Sequence, residues 1–341
     1  MTTIRNNYTG AALLCTALLL FACSKSGDGL GDTDPQTGKT KVAEATFTKI
    51  NTATYPVAFE GDYYDRIALS NNHIYVIDRE NEAFRRYNIT SNTWQDLASI
   101  NPIYNGIAGY LVYHNAKNDK DILIYNSGKL HSYYPPEYPD AALRDSWVSK
   151  EVVPFEEGGE RGAASDGEYL YYMGNGRKEE YSRQIDRYNP NTDFWEEKAG
   201  NLPLKLDKET QAVASGNKLF VIGESTAIER VFMVYDLQSK QGEIKSVPTT
   251  TWFRGNRNNT LLVYQNYLIY MVPANNAMRL YVFDIEGDQW LEDHVEIKMD
   301  LFSKPMANGS LLLSSSGKLY AAGTKAGDFV LYNVDFKVVE K

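Results

Sequence analysis

Three stretches of the 341-residue chain concentrate side chains able to hold a polar ligand. Residues 55–66 carry Tyr55, Asp62, Tyr63, Tyr64 and Arg66. Residues 154–161 carry Phe155, Glu156, Glu157, Glu160 and Arg161. Residues 249–258 carry Trp252, Phe253, Arg254 and Arg257. An aromatic face beside guanidinium and carboxylate groups suits a sugar ring, because the ring stacks while its hydroxyls take polar contacts. The same groups could serve acid–base chemistry if a carboxyl were held in a dry pocket. Other chemistries lack their parts. The four histidines, His73, His114, His131 and His294, show no metal-ligand spacing. Gly174-Asn175-Gly176 is too short for a nucleotide fingerprint, and no nucleophile-elbow pattern is present. With 35 basic against 44 acidic residues the net charge is −9, which excludes a generic binder of phosphate backbones. The expectation is a site without metal or cofactor and no nucleic-acid partner.

These stretches fall at regular places in an internal repeat. Six short apolar segments start at Ile74, Ile122, Leu170, Leu219, Leu268 and Leu319, separated by 48, 48, 49, 49 and 51 residues. Turn pairs precede five of them: Asn71-Asn72, Asp166-Gly167, Gly216-Asn217, Gln265-Asn266 and Ser316-Gly317. Asn and Gly tolerate the positive φ of tight hairpins. After each central segment comes another strand ending in an aromatic, then one opening on Trp. The link reads Tyr87 to Trp94, Tyr188 to Trp195 and Phe283 to Trp290, seven residues each time. Four antiparallel strands repeated six times at a period near 50 predict an all-β, six-bladed β-propeller of four-stranded antiparallel blades. The blades fall at 66–99, 107–153, 161–199, 209–248, 258–297 and 308–335. The second contains an insertion from Tyr134 to Arg144, and Ala45–Thr52 is expected to complete the sixth. The alternative is that Phe336–Glu340 does so alone.

The repeat separates scaffold from candidate. Trp94, Trp147, Trp195 and Trp290 occupy the fourth-strand position and are expected to pack between blades. His73 sits where other repeats place Glu168, Lys218 and Lys318, a solvated turn. Trp252 is the only Trp off the repeat, so it either meets a ligand or covers the central channel. Arg66 and Arg161 precede their central strands by eight and nine residues, which aims them at the channel mouth or into ion pairs with Asp65 or Glu160.

Residues 188–195 match the latter part of the kelch signature, Tyr-Asp/Asn-Pro-x-Thr-x-x-Trp, and 87–94 and 283–290 match closely. Of the family's Gly pair only Gly174, Gly223 and Gly323 remain. The chain from about residue 45 therefore resembles the kelch propellers, such as the central domain of galactose oxidase. The resemblance implies the fold, with ligands met at the loop face. It also raises two functions: a non-catalytic module binding a glycan or a protein partner, or a metal-free epimerase- or mutarotase-like sugar enzyme. Copper-radical oxidation, known in a kelch relative, needs a Cys cross-linked to Tyr.

The N-terminus supplies an address. Arg5 is followed by an apolar run, Ala11 to Phe21, half the length a membrane helix needs. Leu20-Phe21-Ala22-Cys23 resembles a bacterial lipobox, which implies cleavage before Cys23 and lipid on its sulfur. The mature chain would carry 34 basic and 44 acidic residues, a charge of −10, with no Cys left for a disulfide. The expected organisation is a signal peptide over 1–22, a Gly/Ser/Asp-rich tether over 23–43 and a propeller over 44–341. The body is expected to be monomeric, touching the outer membrane or cell envelope only through its lipid. In a membrane-fractionation assay Cys23→Ala is expected to release the protein into the soluble fraction; retention at the wild-type level refutes the lipobox.

Overall fold

The computed structural model describes residues 40–341 except 58–65, 79–80, 101–109, 117–119, 127–129, 151–161, 174–182, 207, 226–229, 249–259, 275–276, 299–300, 303 and 306–310. Every described element is a β-strand, and every pairing is antiparallel. Five sheets are built from consecutive strands. The first holds β2 (Arg66–Ser70), β3 (His73–Asp78), β4 (Ala83–Asn88) and β5 (Thr93–Asp96). The second holds β6 (Tyr110–Ala116), β7 (Lys120–Asn126), β8 (Leu130–Tyr134) and β9 (Ser146–Ser149). The third holds β10 (Gly162–Ser165), β11 (Leu170–Met173), β12 (Gln184–Asn189) and β13 (Phe194–Asn201). The fourth holds β14 (Lys208–Ser215), β15 (Lys218–Glu224), β16 (Val231–Asp236) and β17 (Gln241–Lys245). The fifth holds β18 (Thr260–Tyr264), β19 (Tyr267–Ala274), β20 (Ala277–Asp284), β21 (Gln289–Trp290) and β22 (Val295–Lys298).

The remaining sheet is composite. It joins β1 (Lys41–Ile50) to β26 (Asp328–Glu340), β25 (Leu319–Lys325), β24 (Leu311–Leu313) and the two-residue β23 (Lys304–Pro305). β1 pairs with β26 from Lys41 opposite Glu340 to Ile50 opposite Leu331. The N-terminal strand thus supplies the outermost position, and Phe336–Glu340 belongs to the strand that it covers. Thr40 and Lys341 exchange two further backbone hydrogen bonds at the end of this ladder. Lys41 Nζ reaches across to the next sheet and donates to Asp284 Oδ2 at 2.6 Å. Burial of the Asp284 carboxyl opposes its ionisation. The Lys41 ammonium and the N–H groups of Gly287 and Glu286 outweigh that and hold it below the usual carboxylate value.

The core lies between sheets. Six apolar clusters each straddle two neighbouring sheets: Phe84 with Tyr133, Tyr134 with Tyr172, Ala164 with Val221, Phe232 with Phe283, Met278 with Val330, and Leu331 with Ile74. The innermost strands adjoin one another in the order β2, β6, β10, β14, β18, β24 and back to β2. Strands in a radial ring with packed faces between them define a β-propeller of antiparallel blades. Gly223 and Gly323 have a packing reason. A Cβ at Gly323 would collide with the Phe302 ring, and one at Gly223 would lie 3.0 Å from Leu206. Both partners come from connections between blades.

The repeated motif also has a local cause. Oδ1 of Asn88, Asn189, Asp236 and Asp284 accepts from backbone N–H groups two and three residues on, at 2.7–3.3 Å. These are side-chain-closed turns. Four residues after each, Asn92, Asp193, Lys240 and Asp288 take φ between 52° and 58°. Tyr87 and Tyr188 then donate their phenol protons to Asn92 and Asp193 at 2.8 and 2.5 Å. Aromatic, Asx and Trp therefore recur together because one closes the turn, one anchors it and one fills the gap to the next blade. Trp94, Trp147 and Trp290 donate Nε1–H to the carbonyls of Ala53, Ala98 and Ser246, each just past the preceding blade's outer strand. Trp195 is buried against Tyr172 and Tyr188. All four hold the inter-blade position.

His73 departs from the expected solvated turn. It opens β3 half-buried, its Nε2 3.0 Å from Asn88 Nδ2. Burial and the nearby Arg86 charge push its pKa down. A chain beginning at Thr40 is expected to keep the wild-type melting temperature. One beginning at Asn51, without β1, is expected to lose more than 10 °C or its cooperative transition in calorimetry, because the outer face of β26 is then bare. Equal melting of the two chains would remove β1 from the fold's support.

Candidate functional site

The two ends of the ring are built differently. At one end lie the hairpins between first and second strands and the Asx turns between third and fourth. Positive φ at Asn71, Gly167, Gly216, Gln265 and Gly317 falls in those hairpins, at the turn pairs the sequence marks. The opposite end receives the connections between blades and the connections from second to third strands. In the sequence each candidate stretch precedes an innermost strand: 55–66 comes before or opens β2, 154–161 precedes β10 and 249–258 precedes β18.

Of the candidate residues, Tyr63, Tyr64, Glu157, Glu160, Arg161, Trp252, Arg254 and Arg257 lie outside the described residues, as does Cys23. Arg66 is placed by its backbone alone. It opens β2 opposite Ile77, at the loop end of an innermost strand.

Tyr55 has a different place from the one the sequence suggests. It is buried, with its ring edge-on to Trp94 at 4.7 Å. Its phenol donates to Asp78 Oδ2 at 3.1 Å and accepts from Arg85 Nη1 at 3.1 Å. Asp78, 1% exposed, also accepts from the Asn81 backbone N–H at 3.1 Å and from Asn81 Nδ2 at 2.8 Å. Arg85 sends its Nε to Asp96 at 2.6 Å. Burial first, and then the Asp78 charge, push the Tyr55 phenol far above its ordinary value. It stays protonated and donates. Tyr55 is therefore a support within the fold, and it offers no free face to a ligand.

Sequence reasoning missed this network and a second one. Arg86 Nε donates to Gln95 at 2.9 Å, and its Nη1 meets Glu137 Oε2 at 2.6 Å and the Tyr75 phenol at 3.3 Å. Glu137 comes from the Pro-rich insertion, which thereby docks on the first blade. The available signal was Arg85-Arg86 in the middle of an otherwise apolar strand, where buried charge demands acidic partners.

Between the innermost strands runs a channel of about 290 Å³. β2, β10, β14, β18 and β24 line it, with Ile67, Leu69, Leu261 and Leu312 among the apolar residues and Ser165, Thr210, Gln211 and Thr260 among the polar ones. No charged side chain is among the described lining residues. Among the described strands each innermost one pairs with a single neighbour, so its other edge faces the lumen. Among the described residues no group of three or more His, Cys, Asp or Glu could hold a metal ion. No described helix is long and apolar enough to cross a membrane.

Fold and channel together define the class, an all-β propeller with its candidate site at the loop end. No family model matches the sequence, and no curated protein matches it. Solved structures do. The structure of YjhT aligns at 15% identity with a TM-score of 0.55, over 85% of this chain and 99% of that one. The PQQ-bound aldose sugar dehydrogenase from Streptomyces coelicolor aligns at 12% identity with a TM-score of 0.55, over 86% and 99%. At such identities the likeness is one of fold.

The Tyr55–Asp78–Arg85 network yields a stability prediction. Asp78→Ala leaves a buried guanidinium with one acid fewer and a phenol without its acceptor. It is expected to cost about 3 kcal/mol in urea unfolding. An unchanged midpoint would show that the network does not hold the loop end.

Proposed function

We propose that this chain is a lipid-anchored binding protein of the bacterial outer membrane or cell envelope, non-catalytic, recognising a glycan or a protein partner at its loop face. The observation that carries the reading is the contrast between channel and loops. The described channel wall contains no carboxylate to act as acid or base, while the stretches that enter the innermost strands hold Trp252, Arg254, Arg257, Glu157, Glu160, Arg161, Tyr63, Tyr64 and Arg66. Aromatic and bidentate groups on loops above a rigid ring suit recognition.

The finer fold reading, a kelch-like propeller of six blades, rests on six antiparallel sheets, on the 48–51-residue spacing and on the repeated aromatic–Asx–Trp link. The anchored address rests on Leu20-Phe21-Ala22-Cys23. A signal over 1–22 and a tether from Cys23 then lead into the strand that begins at Lys41. The body is read as a monomer whose membrane contact is its lipid.

The test is a glycan array together with a pull-down from envelope extract. The wild-type chain is compared with a triple variant, Trp252→Ala, Arg254→Ala and Arg257→Ala. Binding by the wild type, reduced at least tenfold in the variant, supports the reading. Undiminished binding moves the site off these loops. No partner at all, combined with turnover of a small sugar, replaces the binding module with an epimerase- or mutarotase-like enzyme.

A further inference from the structure

The channel itself is the feature that the loop-face reading leaves unused. Its about 290 Å³ equals roughly ten water molecules' share of liquid volume. Its described wall is mostly aliphatic, from Ile67, Leu69, Val213, Leu261 and Leu312, with the small side chains of Ala163 and Ala212 leaving room. The described polar groups are all neutral: the backbone edges of the innermost strands, the Ser165 hydroxyl and the Gln211 amide.

Two wall residues add a second observation. Thr210 and Thr260, on the adjacent innermost strands β14 and β18, are 1% and 6% exposed, and their Oγ1 atoms have no hydrogen-bond partner among the described residues. A buried hydroxyl without a partner is a cost, and threonine has more than one accessible χ1 rotamer. A guest offering an oxygen at the wall would let either hydroxyl turn and recover a bond. A charged guest would lose its hydration with no described counter-charge on the wall. A wholly apolar guest would leave both hydroxyls and the strand edges unmatched.

We propose that the propeller channel is a binding site for a small neutral molecule with an apolar body and one or two hydroxyl or carbonyl oxygens, the size of a cyclic alcohol or ketone. The site is distinct from the loop face and stands whether or not the loops recognise a glycan or a protein.

The test uses three probes of one shape on the full mature chain, followed by ligand-observed NMR titration: cyclohexanol, cyclohexanecarboxylate and methylcyclohexane. Cyclohexanol is expected to bind saturably, and the carboxylate at least tenfold more weakly. Ala163→Phe and Ala212→Phe, which put a large ring at positions lining the lumen, are expected to weaken cyclohexanol at least tenfold. Thr210→Val with Thr260→Val is expected to weaken cyclohexanol about fivefold and to leave methylcyclohexane unchanged. The Thr-to-Val pair is nearly isosteric, so it decides the matter if a filling variant fails to fold. The loop triple variant is expected to bind cyclohexanol as the wild type does, which separates failure of this site from failure of the loop-face reading. The proposal is overturned by equal binding of the carboxylate, by unchanged cyclohexanol binding in folded filling variants, or by no saturable binding of any probe.

Discussion

Everything in this molecule depends on the ladder between β1 and β26. Five sheets are made from consecutive strands and could each form locally. A ring is closed only when chain from the two ends meets, and here it meets in ten residue pairs plus the Thr40–Lys341 exchange. Among the described residues, that ladder and the apolar faces on either side of it close the ring. Phe336, Tyr332 and Val334 lie in the cluster that also holds Met278 and Ile297 of the preceding blade. Losing the outer strand would uncover one sheet and weaken the interface to its neighbour. The Lys41–Asp284 pair then has a clear place. It ties the first residue of the closing strand to an Asx turn in that neighbouring blade. Its half-exposed lysine makes it a modest contributor. Its effect is to fix where the strand begins.

The closed ring creates two unlike ends. Turns at one end are satisfied by their own side chains, with Asx oxygens on backbone N–H groups and tyrosine phenols on the residue that takes positive φ. Such turns are short, self-contained and repetitive, and they leave little to vary. The connections at the other end differ in length and composition from blade to blade, a freedom that the turns do not have. The Tyr55–Asp78–Arg85–Asp96 network shows how that freedom is anchored. A buried acid at the end of β3 and a buried base in β4 hold the residue from which the next connection departs.

Much of the fold was legible because it is periodic. The turn pairs, the aromatic–Asx–Trp link and the six central strands recur, and each has one physical cause wherever it recurs. The closing strand was legible because the last blade lacked a partner. Features occurring once were not. Tyr55 stood among ligand-like residues in the sequence, and only its distance to Asp78 and Arg85 reveals a support. His73 fell on a hairpin position that is exposed at Lys218 and Lys318, and Asn88 with the Arg86 network half-buries it. Glu137 lies 51 residues from Arg86, and no local pattern joins an insertion in one blade to a strand in another. Composition reads what every blade needs, while contacts across blades depend on the ring being closed.

The same distinction sharpens what the aromatic richness means. Tyr and Trp are largely consumed between blades: Trp94 on Tyr55 and Phe329, Trp147 on Phe84 and Tyr133, Trp195 on Tyr172 and Tyr188, Trp290 on Phe232 and Phe283. Pairs of this kind contribute about 0.5–1.5 kcal/mol beyond their buried area. Such wedges keep the innermost strands at a fixed spacing. That spacing in turn leaves a lumen lined by small and aliphatic side chains, because the large rings are already committed further out. The neutral wall of the described channel therefore follows from the aromatic interfaces, which commit the large rings further out.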